Sequence, residues 1–321
     1  MLIKLVIMKI RIIVLFLFYS IGYAQEMKFK KQEINIPSEK VTVNGTLFVS
    51  LEVGKTPLVI IIPGSGANDR DGNQASSKNN SLKFLAEGLA QHKIATYRYD
   101  KSAIALLKIE GFKEKDVDFD DFVNDAIAVV NYFKDKEQFS KIIFAGHSQG
   151  SLVGMLASKS RADAFISISG AGRQIDEILI EQVVKQSPMF EKDLKKTFDS
   201  LRLGKIDEDF NPMLMSIFRK SLQPFWISWI KYNPQEEIKK LNIPVLIING
   251  TRDIQVPVSD AELLHKANEQ SELLIIEDMN HVFKEVKTDN LSENIATYSN
   301  AELAIVEELV KGIAKFVTQI E

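Results

Sequence analysis

The chain has 321 residues, 45% of them hydrophobic and 26% charged, a composition that suits one large globular domain with a full core. A net charge of −3 without a basic stripe argues against a nucleic-acid partner. The absence of cysteine excludes disulfides, thiolate catalysis and Cys-ligated metal sites.

Residues 1–24 stand apart. Lys4, Lys9 and Arg11 precede an apolar run that begins at Ile12, and Gly22-Tyr-Ala24 puts small residues where a signal peptidase cuts. The pattern predicts a secretory signal cleaved after Ala24, and so a secreted or periplasmic mature chain with no stable membrane span. An uncleaved anchor helix is the alternative, for which the run is short. Residues 29–37 and 41–50 each alternate roughly and predict an antiparallel edge pair, with Asn44-Gly45 as a turn signal. Residues 57–62 are continuously apolar, as in a buried central strand. A glycine-rich loop at 63–72 is followed by a helix at 81–91 and a strand at 94–99. Residues 119–133 carry Phe122, Ala126, Val129 and Val130 at helical spacing.

Next comes a short apolar strand at 142–145, then Gly146-His-Ser-Gln-Gly150, then a helical segment at 151–158 and a strand at 164–168. From Arg173 to Lys240 the strand rhythm stops. Residues 175–186, 191–203 and 211–222 read as helices, with Phe225, Trp226 and Trp229 close behind. Strands at 244–248 and 273–276 flank a helix at 260–268, and 301–320 reads as a closing amphipathic helix. Strands alternating with helices predict an α/β fold: a mostly parallel central sheet flanked by helices, with a helical insertion after the sixth strand.

Gly146 to Gly150 fits G-x-S-x-G between an apolar strand and a helix, the setting of a nucleophile elbow. The turn is sharp, so its flanking residues must be small. Ser148 is held up at the turn, and the Gln149 N–H faces outward at the helix N-terminus. A serine hydroxyl needs a base to take its proton, usually a histidine oriented by a carboxylate. Of four histidines, His92 precedes a strand at the far end from the elbow. His147 is expected to turn away from the reacting side, and His265 lies among apolar helical neighbours. His281, just past the last strand, is the expected base. Asp253, on the loop after the strand at 244–248, is the expected acid, with Asp278 as its rival. Arg252 and Asp260 are expected to be solvated or turn-stabilising. The order Ser148, Asp253, His281 is that of α/β-hydrolases.

An oxyanion hole needs a second backbone N–H from the loop after the third strand. In Pro63-Gly-Ser-Gly66 that donor is expected at Ser65, with Gly66 next. A phosphate-cradling loop is the functional alternative, but the segment lacks G-K-[ST] and is not G-x-G-x-x-G. Asn68, Asp69, Arg70 and Asp71 are expected either to brace this loop or to form a solvated turn.

The loop at 63–72, Arg98-Tyr-Asp-Lys101, the elbow, Gly250-Thr-Arg-Asp253 and Asn280-His281 together resemble the α/β-hydrolase superfamily. More narrowly they resemble bacterial serine carboxylesterases with a G-S-G-x-x-D-R-D oxyanion loop. The resemblance spans the mature chain. It implies Ser148 as nucleophile, Asp253 as acid, His281 as base, and the Ser65 and Gln149 amides as the oxyanion hole. Two places depart from the pattern. Pro63 stands where many relatives have His, and Lys101 is followed by Ser-Ala without the usual glycine. With the signal at 1–24 set aside, the resemblance implies a hydrolase core at 25–172 and 241–321 and a lid at 173–240. Phe190, Met215, Phe218 and Trp226 are the lid residues expected to bind substrate.

The implied reaction is hydrolysis of small-molecule carboxylic esters with short to medium acyl chains, with no cofactor or metal. The same fold and triad serve other reactions. A peptidase is the nearest alternative, with Glu177, Glu181, Glu191 and Asp193 available in the lid for a peptide terminus. Thioester hydrolysis is a further enzymatic one. A catalytically silent binding module is the alternative outside catalysis, and the complete Ser, Asp and His set argues against it.

Overall fold

The computed structural model describes residues 29–51, 54–159 and 161–320. The signal sequence expected in residues 1–24 lies outside them. Among the described residues, eight strands form one sheet: β1 (Phe29–Pro37), β2 (Thr42–Ser50), β3 (Thr56–Ile62), β4 (Ala95–Tyr99), β5 (Phe139–His147), β6 (Ala164–Ile168), β7 (Val245–Gly250) and β8 (Glu272–Ile276). Their spatial order is β1-β2-β4-β3-β5-β6-β7-β8. The β1/β2 and β2/β4 pairs are antiparallel and the remaining pairs parallel.

The apolar strands have a simple cause. Leu58, Ile60 and Ile62 of β3 enter the core on one face, while Val59 and Ile61 enter the core on the other. A strand buried on both faces has no polar side to show, so alternation disappears. The first face is covered by α3 (Phe119–Lys134), α4 (Gln149–Ser158) and α10 (Val258–Ala267). The second is covered by α1 (Ser81–Gln91) and α12 (Glu307–Gln319). Helix α3 starts in a capping box, Asp118 and Asp121 each accepting from the other's turn. Short helices α2 (Ser102–Leu106) and α11 (Leu291–Thr297) were not legible from periodicity.

The edge hairpin turns at residues 38–41, where the Ser38 N–H donates to the Val41 carbonyl at 2.9 Å. Asn44-Gly45, expected to mark the turn, lies inside β2. Gly45 is there because a Cβ would sit 2.3 Å from the Tyr97 ring. The closing helix begins at Glu307, later than expected. The preceding segment is tied instead to the loop after β8, with the Val306 N–H on the Phe283 carbonyl at 2.8 Å.

Between β6 and β7 the chain is helical: α5 (Ile175–Gln186), α6 (Glu191–Arg202), α7 (Met215–Phe218), α8 (Gln223–Ile230) and α9 (Pro234–Ile238). These helices share a small core around Leu194, Phe198, Leu201, Leu214, Phe218 and Ile230. Trp229 of α8 joins the main core, stacked on Phe119 of α3 at 5.2 Å. Asp260, expected to be solvated or turn-stabilising, is fully buried. It accepts from the Gly172 and Arg173 N–H groups at 2.9 and 3.1 Å and pairs with the Arg173 guanidinium, tying the start of this insertion to α10. No helix among the described residues is long and apolar enough to cross a membrane.

Candidate active site

Strand β5 ends at His147 and α4 begins at Gln149, leaving Ser148 alone at the turn with φ 54° and ψ −120°. A non-glycine residue held there costs about 1–3 kcal/mol and persists only when its surroundings force it. The forcing is visible. The Ser148 N–H donates to the Ile168 carbonyl of β6 at 2.9 Å, and the Ser148 carbonyl accepts from Ser151. The flanking glycines are compulsory. A Cβ at Gly146 would lie 2.1 Å from the Gly150 carbonyl oxygen, and one at Gly150 would lie 2.4 Å from that of Ile62. Gly146→Ala should therefore cost about 3 kcal/mol or more, since no flexible side chain can move aside. Gly54→Ala, with nothing within 4 Å, should stay within about 0.5 kcal/mol. Urea unfolding of the two variants checks the contrast.

The loops after β7 and β8 bring Asp253 and His281 together. His281 Nδ1 lies 2.7 Å from Asp253 Oδ2, with side-chain exposures of 4% and 0%. The other carboxylate oxygen accepts from the Gln255 and Val256 N–H groups at 2.8 and 2.9 Å. Burial alone would push the Asp253 carboxyl up. The His281 ring and these two amides outweigh it and hold the group below the usual carboxylate range. Asp278, the rival, is engaged elsewhere: it takes positive φ and pairs with Arg252 at 3.3 Å. Arg252 also pairs with Asp289, so it is not simply solvated. His92 caps the end of α1, and His265 bonds Ser271 at 2.9 Å, both away from this cluster.

His147 departs from expectation. Its ring packs 4.8 Å from the His281 ring, and its Nε2 lies 2.9 Å from the His281 carbonyl oxygen. A carbonyl only accepts, so Nε2 carries the proton. Burial first, then the neighbouring His281, drives the ring down to about 3 and keeps it neutral. Its role escaped the sequence because the partner is a backbone atom 134 residues away.

The loop after β3 is braced throughout. Asn68 Nδ2 donates to the Ser65 carbonyl at 2.6 Å, and Gln74 Nε2 reaches the same oxygen at 3.1 Å. Asp69 Oδ1 accepts from the Asp71 and Asn73 N–H groups, both at 2.9 Å. Arg70 grips Asp100 with two nitrogens, at 2.9 and 2.7 Å, and also reaches Glu33 and Thr46. Asp71 pairs with the buried Arg98 at 2.9 Å. Among the described residues, the Ser65 and Gln149 N–H groups donate to no backbone acceptor. The Gly64 backbone stands beside the serine, a Cβ there falling 3.2 Å from Ser148 Cβ.

Residues 49–267 match the model of the BD-FAE family. The chain belongs to the BD-FAE family. Esterase EstD of Thermotoga maritima is 25% identical to this BD-FAE chain over 295 residues, covering 86% of it and 67% of EstD. Est1E from Butyrivibrio proteoclasticus aligns in structure over 89% of the chain and 99% of its own, with TM-score 0.57 and 20% identity. The Pyrococcus furiosus esterase Pf2001 aligns over 91% and 92%, with TM-score 0.57 and 17% identity. At these identities the structural matches establish the fold, and it is the α/β-hydrolase fold expected.

Two cavities of this BD-FAE chain meet at Ser65, Ser148 and Gln255. One, of about 630 Å³, runs beneath the helical insertion and is walled largely by apolar side chains, among them Phe122, Leu152, Ile175, Leu179 and Trp226. The other, of about 270 Å³, is the more polar of the two, with Asn68, Gln74, Ser77, Asn79, His281 and Tyr298 beside Leu82 and Val282. Of the four insertion residues expected to meet substrate, Trp226 lines the apolar cavity. The other three line neither of these cavities. Phe218 is fully buried in the insertion's own core, Phe190 packs against that core, and Met215 is 52% exposed. Phe225 and Trp229, one helical turn apart on α8, line the cavity in their place.

Proposed function

We propose that the chain is a serine carboxylesterase acting through Ser148, His281 and Asp253. The observation that carries this is the buried Asp253–His281 contact at 2.7 Å, opening on the polar cavity that Ser148 also lines. With Nδ1 committed to Asp253, the His281 Nε2 is left to take the Ser148 proton. Ser148 attacks the carbonyl, and the oxyanion falls to the Ser65 and Gln149 N–H groups. His281 then protonates the departing alcohol, and water activated by the same nitrogen hydrolyses the acyl-enzyme.

The cavities favour one direction of the ester. His281 must reach the alcohol oxygen, and His281 lines the polar cavity and not the apolar one. The alcohol half therefore belongs in the polar cavity. The acyl half, of short to medium length, belongs in the apolar one, with residues 173–240 as its lid. The peptidase alternative draws less support. Glu177, Glu181, Glu191 and Asp193 line neither cavity, and Glu181, Glu191 and Asp193 are spent on Arg173, Lys195 and Asn211.

Two ester series test this on the chain starting at Gln25. With p-nitrophenyl esters from acetate to laurate, kcat/KM should rise with acyl length and then fall once the cavity is full. With one acyl group fixed, glyceryl esters should be cleaved faster than hexyl esters. No turnover of any ester by folded protein would move the assignment to a peptidase. The opposite alcohol preference would reverse the two cavities.

A further inference from the structure

Lys101 lies two residues past the end of β4, at the start of α2, and is 5% exposed. Its backbone N–H donates to the Asn68 carbonyl at 3.0 Å, so its main chain is already tied to the oxyanion loop. Its ammonium lies 4.4 Å from the Phe122 ring centre, and its Nζ donates to the Gly64 carbonyl at 2.6 Å and to the Gln149 side-chain oxygen. Both acceptors are neutral. An ammonium buried on neutral acceptors is an expensive arrangement, and folding alone would be as well served by an apolar side chain.

The two acceptors belong to the two halves of the oxyanion hole. The Gly64 carbonyl and the Ser65 N–H form one peptide unit, and in a trans peptide these groups point opposite ways. Drawing the carbonyl onto Lys101 therefore aims the N–H away from Lys101, and the cation polarises that N–H as a donor. The second acceptor is the side chain of Gln149, whose own N–H is the other donor.

Resting on the esterase reading of Ser148 above, we propose that Lys101 is a positioning residue for the oxyanion hole. One ammonium clamps the peptide carrying the Ser65 N–H to the side chain of Gln149, and so fixes the two donors relative to each other. Burial lowers Lys101 to about 7, with Asp125 of α3 opposing, so the full cation is present below neutral pH. A clamp of this kind acts on the transition state. The ground-state carbonyl oxygen does not yet need both donors at oxyanion distance.

The test compares Lys101→Met, Lys101→Cys and aminoethylated Lys101→Cys with the parent chain. Because the chain has no cysteine, 2-bromoethylamine modifies the introduced thiol alone and rebuilds an ammonium at lysine length. Modification is done in urea, followed by refolding, with the parent chain taken through the same steps. Lys101→Met and unmodified Lys101→Cys should lose about 10- to 100-fold in kcat, with KM within about twofold of the parent, less than the loss of a hole donor itself. Aminoethylation should restore most of the lost kcat. The inference is overturned if folded Lys101→Met keeps its kcat, if the loss falls in KM, or if aminoethylation of refolded protein restores nothing. A parent chain that hydrolyses no ester would sink the esterase reading instead, so the two failures are distinguishable.

Discussion

Ser148→Ala should lower kcat/KM on the best p-nitrophenyl ester by about 10⁴–10⁶-fold and abolish labelling by a fluorophosphonate. The size of the effect follows from what the hydroxyl does in the proposed mechanism. Without it no acyl-enzyme forms, and His281 has no proton to take from the nucleophile. Some rate above water remains, because the Ser65 and Gln149 amides can still bind the oxyanion of direct water attack. The fold should not change. Alanine must take the same strained turn, φ 54° and ψ −120°, held by the same bond from residue 148 to Ile168. Thermal unfolding should therefore stay close to the parent's, which separates a chemical defect from a folding one. A folded Ser148→Ala with parental turnover would remove Ser148 from the reaction.

The parts of the fold legible in the sequence were those with local causes. Strands buried on both faces announce themselves as unbroken apolar runs, and β3, β6 and β7 fell within a residue or two of expectation. The elbow was legible because its two glycines answer to neighbours only a few residues away or on the adjoining strand. The Asn44-Gly45 misreading has a physical reason. A glycine demanded by a ring from another strand looks, in sequence, like one demanded by a turn. Phe218 shows a related ambiguity: the helical insertion buries a core of its own, and an apolar residue facing that core cannot be told by composition from one facing a substrate.

The site followed the same division. The contact between Asp253 and His281 could be anticipated because loops at the carboxyl ends of parallel strands converge, so position in the chain stood in for position in space. Lys101 was noticed only as a departure from a motif, and His147 was assigned to the wrong side. Both act on backbone carbonyls, Gly64 and His281, and backbone atoms leave no trace in a sequence. The one available signal was a lysine two residues past the end of a strand as buried as β4.

Asp253→Asn should lower kcat by about 10⁴-fold with little change in substrate binding. In the parent, Asp253 Oδ1 accepts the Gln255 and Val256 N–H groups and Oδ2 accepts the His281 Nδ1 proton. An asparagine must keep its only oxygen toward the two backbone donors, so its NH₂ faces His281. That NH₂ donates, Nδ1 must then accept, and the imidazole proton moves to Nε2. The nitrogen meant to receive the serine proton is thus already occupied. The variant also carries a pH signature. Asp253 is held below its ordinary pKa in the folded chain, so it contributes stability that is fully present above the unfolded carboxylate value and lost as pH falls through the folded one. Asp253→Asn has no such group, and its stability should fall less steeply on acidification. Urea unfolding at neutral pH and at about pH 4, set beside kcat, reads both effects. A parental kcat in the folded variant would transfer the orienting role away from Asp253. A low kcat with parental acid sensitivity would mean that the carboxylate orients the ring without contributing measurably to acid unfolding.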